Sequence, residues 1–163
     1  MKYTKSGFTL IELLAVVLII AILTSIAVPQ YRRSVQRAQA MEMMTNLRTL
    51  FDSAKRYRTA NSEAPLKLTG LDVSFFDATT PDASSFNIGN FHYSFMNDGI
   101  SACLLSNKNT FYNTYCFKMY YTYTSGSKKY KDLMVCSSMA PKYNWLCEAL
   151  STSRLDGMNV IGS

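Results

Sequence analysis

The 163-residue chain carries a single histidine, His92, and nothing that would make it catalytic. There is no serine-nucleophile motif, no glycine-rich phosphate loop and no Cys-His ligand set. His92 stands between Phe91 and Tyr93 in an alternating pattern and reads as a polar strand residue. The cysteines lie 13, 20 and 11 positions apart with no Cys-x-x-Cys pair, a spacing that does not suit zinc. Net charge is only +6, so charge does not argue for nucleic acid. Proline is missing between Gln30 and Ala64, which leaves nothing to break a helix there. No internal repeat and no low-complexity segment is present. These absences argue against an enzyme, and neither a cofactor nor a metal is expected. Asp72, Asp77 and Asp82, five apart, and the C-terminal Glu148 and Asp156 read as solvated carboxylates rather than as calcium ligands.

What is present is concentrated at the N-terminus. From Phe8 to Val28 the chain has 21 residues and one charge, Glu12. That length spans a bilayer as a helix. A carboxylate in such a segment costs about 2.5–3.5 kcal/mol at the bilayer centre and less near its surface, so it calls for a partner. Lys2 and Lys5 precede the run and favour a cytoplasmic N-terminus. The span is apolar all round, so it must be covered on every side, by lipid or by other helices. A secretory signal cleaved near Ser25-Ile26-Ala27, or a plain single-pass anchor, shares the basic start and apolar run. Neither accounts for Gly7-Phe8-Thr9-Leu10-Ile11-Glu12 as a unit.

From Lys5 to about Arg33 this arrangement resembles the type IV filament class, the type IV pilins and the type II secretion pseudopilins. The resemblance implies that residues 1–7 are a leader, removed between Gly7 and Phe8 by the prepilin peptidase. It implies N-methylation of the new Phe8 amine and an assembly role for Glu12, which neutralises the Phe8 amine of a neighbouring subunit. It implies a helix kink at Pro29, with local loosening in the fibre; the glycine many members carry near position 21 is Ala21 here. The implied partners are further copies of the chain, the peptidase, an inner-membrane assembly platform and minor pilins. The implied location is the bacterial inner membrane before assembly, then an extracellular pilus or a periplasmic pseudopilus. One turn separates Phe8 from Glu12, so a buried amine and carboxylate, each costly alone, become tolerable as a pair between staggered copies.

The implied fold is α+β and type IV pilin-like. A long N-terminal helix forms a stalk, and its C-terminal half packs against a roughly four-stranded antiparallel sheet. Residues 8–29 are the transmembrane and filament-core helix, and 30–163 the globular head with the amphipathic half of that helix. The pattern agrees: Met43/Met44, Leu47, Leu50/Phe51, Ala54 and Tyr57 recur at spacings of three and four. One helix is expected from Phe8 to about Thr59, roughly 80 Å long, ending at Asn61–Pro65. Residues 65–90 read mostly as loop, including Ser84-Ser85, with a short helix or turn at Leu71–Phe76. Strands are expected at Asn90–Met96, Ile100–Leu105, Tyr115–Thr124 and Tyr130–Cys136, with the first hairpin signalled by Asn97-Asp98-Gly99. A helical turn follows at Trp145–Leu150, then a tail from Ser151 that is low in apolar residues.

The four cysteines, in a domain exported past a membrane, read as two disulfides with three connectivities open. Cys103–Cys116 with Cys136–Cys147 is favoured, since each closes a local loop beside a strand end. The second is similar to the C-terminal disulfide loop of many pilins. Three functions compete: a pilus subunit, a secretion pseudopilin, and a membrane-anchored module that captures DNA or a glycan. The last would use Tyr112, Tyr115, Tyr120, Tyr121, Tyr123 and Tyr130 with the interleaved Lys118, Lys128, Lys129 and Lys131. Strand packing accounts for the same tyrosines without a ligand. Arg32, Arg33 and Arg37 follow the span on its far side, against the positive-inside bias.

Overall fold

The computed structural model describes residues 8–75, 78–79, 83–105 and 114–162. The leader with Gly7, Lys2 and Lys5, the loop aspartates Asp77 and Asp82, and Tyr112 lie outside the described residues. The chain divides into two compact units, one ending at Ala40 and one running from Met41.

In the first unit, helix α1 (Leu10–Asn61) begins one residue after Thr9 and passes through Pro29 with helical residues on both sides. Proline has no N–H to give the Ser25 carbonyl, one turn back. The hydroxyls of Thr24 and Ser25 turn back onto the carbonyls of Ile20, Ala21 and Ile22 at 2.7–3.1 Å, so they need no external partner. From Phe8 to Val28 every residue is exposed.

In the second unit the same helix becomes amphipathic. Met43, Met44, Leu47, Leu50, Phe51 and Ala54 form a buried stripe. It faces the inward residues of an antiparallel sheet with the order β1-β2-β3-β4-β5-β6-β8-β7. The strands are β1 (Ala78–Thr79), β2 (Ser85–Ile88), β3 (Phe91–Met96), β4 (Gly99–Leu104), β5 (Tyr115–Ser125), β6 (Lys128–Ser138), β7 (Ser153–Leu155) and β8 (Met158–Ile161). The α+β class is as expected, but the sheet is wider than four strands. The four central ones, β3–β6, match the alternating segments. The added strands are short and sit at the two edges. The Ser84-Ser85 stretch leads into β2, where Phe86 alone is fully buried. The C-terminal tail folds back as the β7–β8 hairpin, which pairs with β6 through Asn159, Val160 and Ile161.

Inward positions follow the period of two. Phe91, Tyr93 and Phe95 on β3, and Tyr115, Phe117, Met119 and Tyr121 on β5, are buried. Phe51 stacks on Tyr121 at 4.9 Å, fixing helix to sheet by an aromatic pair. At the other end, α2 (Asn144–Leu150) buries Leu146 and Cys147. Helix α1 stops where Ser62 turns left-handed (φ 60°) and its N–H bonds to the Arg58 carbonyl. The segment that follows has a 3₁₀ turn at Leu68–Gly70, earlier than the Leu71–Phe76 turn expected. It is tied back to α1 by Asp72, which accepts from Arg56 Nε at 2.7 Å, from Arg56 Nη2 at 2.9 Å and from the Ser53 hydroxyl.

Candidate functional site

Of the residues that sequence singled out, Phe8 and Glu12 lie at the start of α1, where Glu12 is held by Thr9. Thr9 is the N-cap and Glu12 the third helical residue. The Thr9 N–H donates to Glu12 Oε2 at 2.8 Å, the Thr9 hydroxyl donates to the same oxygen at 2.7 Å, and the Glu12 N–H donates to Thr9 Oγ1 at 3.3 Å. This is a reciprocal capping box. Sequence reasoning treated Glu12 only as a counter-charge and missed its local role. The signal was present, since Thr9-Leu10-Ile11-Glu12 has the Thr-x-x-Glu spacing ahead of an apolar run. Both carboxylate bonds fall on Oε2; among the described residues Oε1 has no partner.

Beyond this cap the helix offers only hydrocarbon. Fourteen large apolar side chains from Phe8 to Val28 are exposed, from 83% at Leu10 to 45% at Val28. Burying one such side chain contributes about 1.5–3 kcal/mol. Leaving all of them in water forfeits on the order of tens of kcal/mol. α1 is the one helix among the described residues long and apolar enough to cross a membrane. The surface therefore demands cover that is apolar on every side, while the carboxylate at its head is held by Thr9.

The tyrosine-rich sheet does not present one stacking surface. Tyr115 and Tyr121 point inward and are buried, whereas Tyr120 and Lys118 lie on the opposite face of β5. Burial pushes the Tyr121 and Tyr93 hydroxyls up to about 12, and Tyr115 further still, so these phenols stay protonated core groups. Lys118 sits 4.4 Å over the Tyr120 ring and bonds Asp98 at 3.1 Å. Among the described residues no cluster of three metal-ligating side chains forms. Asp72 is engaged by Arg56.

The disulfides are Cys103–Cys116 and Cys136–Cys147. The first joins directly opposed residues of β4 and β5. The second ties α2 to β6, fastening the helical turn to the sheet.

Residues 2–28 match the family model described as the prokaryotic N-terminal methylation motif. The chain is similar to a fimbrial protein of Pseudomonas aeruginosa, 40% identical over 84 residues, which cover 49% of this chain and 54% of the relative. It is similar to the type IV major fimbrial protein FimA of Dichelobacter nodosus, 51% identical over 91 residues, covering 52% and 58%. It is also similar to the type II secretion system core protein G of Vibrio cholerae, 29% identical over 87 residues, covering 53% and 60%. The chain spans a little over half the length of these curated relatives.

Proposed function

We propose that this chain, which is similar over about half its length to type IV fimbrial proteins and to a type II secretion core protein, is a structural subunit of a type IV pilus. It enters the inner membrane as a precursor and is cut between Gly7 and Phe8 by the prepilin peptidase. It is then methylated at the Phe8 amine and polymerised by the assembly platform, alongside minor pilins. The observation that carries this reading is the uncovered apolar helix from Phe8 to Val28 headed by a carboxylate. Lipid satisfies the hydrocarbon but leaves Glu12 without a cation. Staggered copies satisfy both, each Phe8 amine meeting a neighbour's Glu12. The protein's work is then mechanical, and no catalytic group is required of it.

The capping box supplies the test. Glutamine also serves at the third helical position of a capping box. Glu12→Gln therefore keeps the cap and loses the charge, whereas Glu12→Ala loses both. With the counter-charge gone, an incoming amine is buried alone at a cost of several kcal/mol. Both variants should be cleaved and inserted, yet sheared fibre should fall about tenfold or more relative to membrane-bound subunit. Normal fibre from Glu12→Gln would reduce Glu12 to a helix cap. N-terminal mass analysis of fibres should give methylated Phe8; an intact Met1 or a start near Val28 would overturn the processing.

The similarity to secretion core protein G keeps a pseudopilin as the second reading. Identity to the fimbrial relatives is higher, and two disulfides favour the pilus. Immunolabelled fibres on the cell surface of an otherwise wild-type strain would decide for the pilus. A DNA- or glycan-capturing anchor draws no support from tyrosines divided between two faces of the sheet.

A further inference from the structure

Toward its C-terminal end α1 leaves a cleft of about 410 Å³ against β5 and β6. Its walls carry three cations, Lys55, Arg58 and Lys131, and one carboxylate, Asp132. The pairing of β5 with β6 is interrupted at Tyr121 and Asp132, where Asp132 turns left-handed (φ 55°). Its carboxylate accepts from Lys55 Nζ at 2.6 Å, and those two charges cancel. Among the described residues no carboxylate pairs with Arg58 or Lys131. Arg58 is positioned all the same. The Tyr121 ring lies 4.9 Å from the Phe51 ring and 4.9 Å from the Arg58 guanidinium carbon. Phe51 and Arg58 stand roughly 10 Å apart along α1, so the ring is wedged between them. Stacking engages the face of a guanidinium and leaves its N–H edge for acceptors. Tyr121 itself is 6% exposed, and its covered hydroxyl has no hydrogen-bond partner among the described residues. Burial pushes that hydroxyl up to about 12, so it stays a donor, and the Arg58 charge acts on it directly. A buried donor without an acceptor is costly.

We propose that this cleft binds a phosphate group, with Arg58, Tyr121 and Lys131 as its donors. A phosphate ester near neutral pH carries about 1.5–2 negative charges, which matches the two uncompensated cations. A carboxylate carries one. The guanidinium edge meets phosphate oxygens with paired N–H donors, and the Tyr121 hydroxyl gains the acceptor it lacks within the protein. Phe51 and Arg58 occupy the two faces of the Tyr121 ring, so the ring offers no platform to a base or a sugar. Recognition is of the anion itself. Every residue of the site belongs to the unit that begins at Met41, so the site stands apart from how the N-terminal span is covered.

The test uses the full chain, isotope-labelled and held in detergent micelles near pH 7. Inorganic phosphate is titrated in at an ionic strength kept constant with chloride, and NMR follows the Arg58 Nε–H and Tyr121 backbone N–H resonances. Both should shift and saturate at millimolar phosphate, and acetate should bind severalfold more weakly. R58Q, read at Tyr121, should bind about tenfold more weakly or worse, the loss expected of a hydrogen bond to a charged group. Y121F keeps the ring and removes only the hydroxyl. It should melt at or above the wild-type temperature without phosphate, yet bind phosphate severalfold more weakly. K142Q removes a cation that lies over Tyr143, away from the cleft, and should bind as wild type does. Should R58Q fail to fold, K131Q, a change at an exposed position of β6, carries the same comparison. Shifts that never saturate would overturn the site. So would equal affinity in R58Q and wild type, or equal weakening by R58Q and K142Q, which would mean attraction to net charge alone. A Y121F protein clearly less stable than wild type would show that the hydroxyl is already satisfied, and would overturn its role. Acetate binding as tightly as phosphate would overturn the choice of anion.

Discussion

Helix α1 contains two stretches of the same secondary structure with opposite needs. From Phe8 to Val28 every position is apolar or small apart from Thr9, Glu12, Thr24 and Ser25, and every position is exposed. From Met43 to Ala54 the apolar residues occupy one stripe and are buried, while Thr45, Arg48, Thr49 and Asp52 face outward. Helix propensity does not distinguish the two; the arrangement of side chains around the axis does. One stretch is completed within its own chain. The other is completed only by a surrounding that is apolar on every side, which lipid or the proposed assembly would supply.

The sharpest way to break this comparison is a pair of substitutions with crossed effects. Leu18→Arg places a charge near the middle of the apolar stretch, at a cost of about 2.5–3.5 kcal/mol for insertion. Membrane-bound subunit and fibre should both collapse, while the melting of the globular unit in detergent stays unchanged. Leu47→Ala removes a fully buried side chain and should cost that unit about 2–5 kcal/mol. Its insertion should be normal. If Leu18→Arg lowered the melting temperature as much as Leu47→Ala, the two stretches would not be separate in energy.

The same contrast explains how much could be read from sequence. Both halves of α1 were legible because a gapless apolar run and a 3.6-residue stripe are strong, long signals. Strands β3 to β6 were legible through alternation, as in Phe91-His92-Tyr93-Ser94-Phe95. The edge strands were not, because β2 and β7 contribute too few inward residues to show a period: Phe86 in one and only the half-buried Leu155 in the other. The β7–β8 hairpin did leave a signal that was passed over. Asp156-Gly157 is a two-residue turn with both residues left-handed (φ 50° and 78°), the arrangement that Asp-Gly favours. At the candidate site, Glu12 stands out as an isolated charge, whereas its bond to Thr9 shows in sequence only as the Thr-x-x-Glu spacing ahead of the apolar run.

Within the globular unit, the disulfides should be the next largest contribution. Loops of 13 and 11 residues are closed by Cys103–Cys116 and Cys136–Cys147. Each should contribute somewhat under about 3 kcal/mol in the chain-entropy model. Cys136→Ser/Cys147→Ser should loosen α2 as well, since that bridge is its covalent tie to β6; hydrogen exchange should rise at Leu146 before it rises at Phe117. Gly99→Ala should cost less, about 1–3 kcal/mol, the usual range for overpacking. A methyl at Gly99 would overlap the Met119 carbonyl of β5, so β4 must shift. Urea denaturation of the globular unit checks both, and a Gly99→Ala protein as stable as wild type would refute the close approach.

The smallest effect belongs to a surface clamp and shows itself through pH. The Arg56 guanidinium and the Ser53 hydroxyl hold the Asp72 carboxyl down to about 2, against an ordinary value near 3.9. A carboxyl with a depressed folded-state value binds fewer protons folded than unfolded. Its stabilisation is therefore fully present above about pH 4 and is lost as pH falls through about 2. Because the pair is exposed, solvent and salt screen it, and the loss should be shallow. Asp72→Asn cannot titrate, so its melting temperature should start slightly below wild type at pH 7 and converge on it toward pH 2. Added salt should narrow the gap at pH 7. This isolates the fastening of the segment after α1 from the core beneath it, because Leu47 and Phe51 carry no charge and lose nothing over the same range. A gap between the two proteins that stayed constant from pH 7 to pH 2 would mean that Asp72 acts by packing alone.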